Sequence, residues 1–229
     1  MSFVVQRSVT SPKVKICGIT RPADALAAVD AGANAIGLNF YSGPRRINLA
    51  QARVILEAVN RQVPAVALID RSATGEYAAG HLHAALGVDL FQVYGVGPGI
   101  AEPIPAGAAE FWLVAHMAEP ADLTELPRRI RTVAFPVAAV LLDACVPGRA
   151  GGTGTAFNWQ WIATARAAGE LAGLPPLVLA GGLNAGNVAA AIHIARPDWV
   201  DVSGGVESGS PGIKDARRIA EFIAAVRKA

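Results

Sequence analysis

Eight short apolar runs alternate with eight segments of helical composition and period, and the alternation fills a chain of 229 residues without a low-complexity linker. Strands that read as continuous apolar runs belong to a parallel sheet covered on both faces. Eight such units in a chain of this length predict an α/β fold, a single (β/α)8 barrel of the TIM type over residues 1–229. An open doubly wound sheet is the alternative. It usually has fewer units and a glycine-rich phosphate loop after its first strand, and no Gly-x-Gly-x-x-Gly follows Cys17.

The elements follow in order. The first strand is expected at 14–17 and its helix at 22–31, where Pro22 suits the first turn. Units two and three pair apolar runs at 35–40 and 65–69 with helical segments at 49–61 and 75–86. The fourth strand is expected at 90–93, followed by 99–108, a segment rich in proline and glycine. Strand five at 111–115 precedes a helix at 121–131, and strand six at 138–142 precedes one at 159–171. Units seven and eight place strands at 177–180 and 199–203 before helices at 185–195 and 215–227.

Composition narrows the function classes. Hydrophobic residues make up 52% of the chain, enough for a large core, and the formal net charge of +2 is too small to argue for nucleic acid or a membrane surface. The longest apolar run, 137–146, is interrupted by Asp143 and is shorter than the roughly 18 residues needed to cross a bilayer. The first twelve residues lack the apolar core of a signal peptide, and two cysteines suggest no disulfide framework. These features predict a cytoplasmic protein acting on a small molecule.

In a barrel of this kind the loops after the strands share one face, and residues distant in sequence converge there. Cys17 ends strand one, Arg45 lies in the loop after strand two, and Gln92 and Tyr94 end strand four. Asp143 ends strand six, followed by Gly151-Gly152-Thr153-Gly154; Gly181-Gly182 follow strand seven, and Ser203-Gly204-Gly205 follow strand eight. Glycine lets the backbone approach a ligand, and barrels commonly seat a phosphate at the loops after strands seven and eight. Tight turns alone would also explain one such cluster, but three at consecutive strand ends favour a phosphate site. Asp143 follows an almost purely apolar run, so desolvation should raise its pKa and suit it to act as an acid. With Cys17 across the barrel mouth, it forms an acid–base pair suited to moving protons along a sugar.

Other candidates have blander readings. His81, His83 and His193 fall in helices without metal-ligand spacing, and His116 follows strand five without a partner in sequence. No metal site is expected. Asp201 alternates with Ser203 and reads as structural. Cys145 reads as a packed loop thiol, and Trp112, Trp159, Trp161 and Trp199 as packing.

Five stretches carry a resemblance: Lys15-Ile16-Cys17-Gly18-Ile19-Thr20; Ala31-Gly32-Ala33 through Phe40-Tyr41 to Pro44-Arg45; Leu142-Asp143 with Gly151-Gly152-Thr153-Gly154 and Phe157-Asn158-Trp159; Leu179-Ala180-Gly181-Gly182-Leu183 with Asn187-Val188; and Val200 through Glu207 with Pro211-Gly212-Ile213-Lys214-Asp215. In register, they resemble the phosphoribosylanthranilate isomerases of tryptophan biosynthesis over nearly the whole chain from Val14. The resemblance implies a cofactor-free Amadori rearrangement of N-(5-phosphoribosyl)anthranilate to 1-(2-carboxyphenylamino)-1-deoxyribulose 5-phosphate by a monomer or homodimer. It implies Cys17 as general base and Asp143 as general acid. Arg45 would hold the anthranilate carboxylate, and Gly181, Gly182, Ser203, Gly204 and Gly205 the phosphate. Gln92, Gly152, Thr153 and Gly154 would line the substrate. A free thiol ionises near 8.5, so a basic neighbour or a helix N-terminus is expected to help Cys17.

The pattern departs at Tyr94, where the family commonly has histidine, and at Asn184-Ala185-Gly186, where asparagine is expected to cap the seventh helix. The loop 144–150 has its own sequence, and residues 1–12 form an extension outside the match. Two other readings fit the glycine loops: a sister phosphosugar isomerase of histidine synthesis, and a phosphosugar-binding barrel without catalysis. The first typically has aspartate where Cys17 stands; the second need not keep both Cys17 and Asp143.

Overall fold

The computed structural model describes residues 11–95, 109–133, 135–144 and 156–229. Eight parallel strands close into a barrel in sequence order, with the eighth pairing back to the first. They are β1 (Lys13–Ile16), β2 (Ala35–Asn39), β3 (Ala65–Asp70), β4 (Leu90–Tyr94), β5 (Glu110–Met117), β6 (Val137–Ala144), β7 (Leu177–Leu179) and β8 (Trp199–Val202). Each falls within two residues of its expected position. A period of two turns alternate side chains to opposite faces. One set, including Ala35, Val66, Trp112, Val114, Leu141, Val178 and Ala180, fills the barrel interior. The other set, including Ile16, Ile36, Leu38 and Val140, packs against the surrounding helices.

The described helices are α1 (Pro22–Ala31), α2 (Leu49–Val59), α3 (Ala79–Leu86), α4 (Ala121–Thr124), α5 (Leu126–Thr132), α6 (Gln160–Ala167), α7 (Val188–Ala195) and α8 (Ala216–Arg227). Local chemistry sets their ends. Asn48 and Gln51 cap α2 reciprocally. The Asp215 carboxylate accepts from the Arg217 and Arg218 N–H groups at the start of α8. Three expectations need correcting. The helix expected over 121–131 divides into α4 and α5, because Pro127 has no N–H for the Leu123 carbonyl. The segment 75–86 opens with a short 3-10 turn, Gly75–Tyr77, before α3. Asn184 does not cap α7: its side chain accepts from the Gly186 N–H, closing a local turn, and the helix starts only at Val188. The helix expected over 99–108 lies outside the described residues. Among the described residues, no helix is long and apolar enough to cross a membrane.

Candidate active site

At the C-terminal ends of the strands the barrel opens into a cleft of about 560 Å³. Cys17 follows β1 directly, and its N–H donates to the Val202 carbonyl of β8 at 2.8 Å. Asp143 is the penultimate residue of β6. Both side chains are buried and line the cleft. The two strands are separated by β7 and β8 in the ring. The wall between them therefore carries Ala180 and Asp201, which also line the cleft.

Burial pushes the Asp143 carboxyl up to about 6, helped by the negative charge of Asp201. Burial also pushes the Cys17 thiol up, again with help from Asp201. The expected basic neighbours are present, in Lys15 and Lys214, and they pull the thiol down. Desolvation and Asp201 together outweigh them, so the thiol is protonated at neutral pH.

The glycine loops after β7 and β8 lie between Cys17 and Asp143, with Gly181 against Asp143. Gly181, Gly182, Ser203, Gly204 and Gly205 all line the cleft. At Gly205 the need for glycine is steric: a Cβ there would lie 2.0 Å from the Leu183 carbonyl oxygen, so the loops after β7 and β8 meet backbone to backbone. Gly152, Thr153 and Gly154, and with them Cys145, lie outside the described residues.

Arg45 lines the cleft, but not as a free fork. Its Nε and Nη2 donate to the two carboxylate oxygens of Glu207, each at 2.7 Å. Glu207 also accepts from Lys214 Nζ at 2.9 Å and from the Gly212 N–H at 2.8 Å. The Arg45 and Lys214 cations hold this carboxyl down at about 2 against its burial. Lys214 Nζ reaches on to the Ser203 carbonyl at 3.1 Å, so one carboxylate ties the loop after β2 to the loop after β8.

Gln92 is completely buried rather than placed on the cleft wall. It accepts from Lys15 Nζ at 2.9 Å and donates to the Tyr94 hydroxyl at 2.8 Å. The Tyr94 ring lines the cleft and stacks on Tyr41, with centroids 4.7 Å apart and planes within 5°. His116 lies next to that stack, 6.3 Å from the Tyr94 ring, on an exposed position.

Sequence reasoning missed Lys15 and Glu207 as site residues and took Asp201 for structure alone. Lys15 is completely buried, with Nζ 2.8 Å from Asp201 Oδ1. The available signal was parity: Lys15 and Asp201 sit at inward positions of their strands and are register partners across the β1–β8 seam.

A closed parallel barrel that gathers a buried thiol, a carboxyl poised near neutrality and glycine-lined loops in one cleft is an enzyme built to move protons on a small polar ligand. The profile of the family described as N-(5'-phosphoribosyl)anthranilate (PRA) isomerase matches residues 14–225. The N-(5'-phosphoribosyl)anthranilate isomerase of Pseudomonas paraeruginosa is 44% identical over 218 residues, 94% of this chain and 95% of that protein. The enzyme of the same name from Azotobacter vinelandii is 40% identical over 220 residues, 94% and 97% of the two chains. Among solved structures, the Thermotoga maritima phosphoribosyl anthranilate isomerase superposes with a TM-score of 0.74 at 32% identity, covering 95% of this chain and 100% of that one. A phosphoribosyl anthranilate isomerase in complex with reduced 1-(o-carboxyphenylamino)-1-deoxyribulose 5-phosphate superposes at 0.72, with 30% identity and the same coverages. The chain belongs to the phosphoribosylanthranilate isomerase family.

Proposed function

We propose that this protein isomerises N-(5-phosphoribosyl)anthranilate to 1-(2-carboxyphenylamino)-1-deoxyribulose 5-phosphate, with Asp143 as acid and Cys17 as base. The observation that carries the reading is the convergence of these two buried groups on one cleft. Asp143, protonated up to about pH 6 by its dry surroundings, gives its proton to the furanose ring oxygen. The C1′–O bond breaks and a protonated Schiff base forms. Cys17, as thiolate, removes the proton on C2′, and the electron pair flows to the nitrogen to leave an enolamine. The enolamine tautomerises to the ketone.

Binding follows from the rest of the cleft. The phosphate sits on the glycine loops after β7 and β8. Arg45 spends two of its five N–H donors on Glu207 and keeps three for the anthranilate carboxylate. The Tyr41–Tyr94 stack offers an aromatic face to the anthranilate ring. The chain works as one barrel unit, in the cytoplasm, as a monomer or homodimer, and needs no cofactor for this chemistry. The test is the loss of substrate fluorescence when the protein is added to phosphoribosylanthranilate generated in situ. Rapid loss is expected; a well-folded protein that leaves the signal unchanged overturns the proposal.

A further inference from the structure

Lys15 lies near the reaction centre, and the mechanism above does not use it. It is a lysine with no exposure at all, inside a barrel whose lower layers are apolar and whose upper layer also buries Gln92 and Asp201. Burying an ion pair such as Lys15–Asp201 is weak evidence of stabilisation, because apolar replacements of similar volume often do as well or better. The location of the pair is informative. Gln92 and Asp201 take two of the three Lys15 N–H groups. The Trp112 ring lies 5.9 Å away, and Cys17 is close enough to act on its charge.

Gly37 of β2 measures the approach. A Cβ on Gly37 would lie 2.8 Å from the Cys17 sulfur and 3.2 Å from Lys15 Nζ. Sulfur and ammonium thus flank one bare position, within the roughly 6 Å over which an opposite charge favours an ionised group.

We propose that Lys15 is a positioning residue: clamped beneath Cys17 by Gln92 and Asp201, its ammonium supplies the positive charge on which the Cys17 thiolate depends. This rests on the reading of Cys17 as the base. The other charged and titratable groups facing the thiol are Asp201 on β8, Tyr94 on β4, Lys214, and Arg45 after β2. Lys214 and Arg45 are both tied to Glu207, which divides their charge. Lys15 bears on the thiol through its charge and through its N–H, and opposes both the burial and Asp201.

The test is the pH dependence of iodoacetamide alkylation at Cys17, measured in Cys145→Ser protein so that one thiol reports. Lys15→Met is expected to move the alkylation midpoint to higher pH and to slow alkylation ~10-fold or more below it, one pK unit being a factor of ten. The kcat should fall by the same factor while KM changes little. Because Lys15→Met leaves Asp201 buried without its partner, Lys15→Met/Asp201→Asn is compared with Asp201→Asn alone, and the same upward shift is expected. Unchanged midpoints in folded protein for either comparison overturn the proposal. A shifted midpoint together with full turnover in Cys17→Ser supports the Lys15–thiol coupling and overturns Cys17 as the base.

Discussion

Asp143 and Cys17 need to react as carboxylic acid and thiolate, yet burial places the carboxyl near 6 and pushes the thiol up from its ordinary value. The reactive form is therefore a minority proton arrangement, with the proton on the weaker base of the pair. Its population rises with pH until Asp143 loses its proton in the bulk of the molecules, then stays level, then falls when Cys17 ionises. The free-enzyme profile of kcat/KM should therefore climb to about pH 6, run flat, and decline only in the alkaline range. Asp201 raises both groups, so Asp201→Asn should move both limbs to lower pH. An acid limb that stays at about 6 in that variant rejects the coupling. Cys17, Asp143 and the glycine loops were legible in the sequence because each stands where an apolar run stops. Lys15 was not: a lysine in a strand reads as a solvent-facing position until pairing of β8 with β1 puts Asp201 beside it. Gln92 was misplaced for a related reason, since nothing local shows that its amide is spent on Lys15 and Tyr94.

The strands were found within two residues because strands buried on both faces are apolar runs with visible ends. Helix limits were harder to read: Pro127 acts through a carbonyl a turn earlier, and Asn184 closes a local turn with Gly186 in place of a cap. The site also depends on an element that no motif search would weigh, the interior face of β2. A methyl group on Gly37 would press on the Cys17 sulfur at 2.8 Å and its Cα at 3.1 Å. Neither side can yield freely, because the Cys17 backbone is bonded to β8. Gly37→Ala is expected to destabilise the protein by about 1–3 kcal/mol, as overpacking does. It should also lower kcat by about 10²-fold through displacement of the thiol. Thermal melts and steady-state kinetics on the variant check both, and wild-type kcat would show that Cys17 has slack in its position.

Across the whole molecule, two carboxyls with opposite shifts meet at one barrel mouth. Glu207, held down to about 2, contributes stability that is complete above its ordinary value of 4.5 and is lost as pH falls toward 2. Asp143, held up at about 6, does the reverse: its ionisation destabilises the fold as pH rises from 3.8 through 6. The Asp143 shift corresponds to about 3 kcal/mol at one pK unit per 1.36 kcal/mol, so near neutrality the fold carries the strain of a dry acid. Asp143→Asn should therefore melt several degrees above wild type at pH 7, an advantage that vanishes below pH 3.8, and equal melting at both values contradicts the cost assigned to that carboxyl. The family membership fits this picture, in which stability is given up where the proton is handled. The most direct test is turnover of phosphoribosylanthranilate by wild type, Cys17→Ser and Asp143→Asn side by side on the flat part of the pH profile. Losses of about 10²–10⁴ in kcat for each variant, with the fold intact, are the expected result. Near-wild-type turnover in either variant contradicts the acid–base pair.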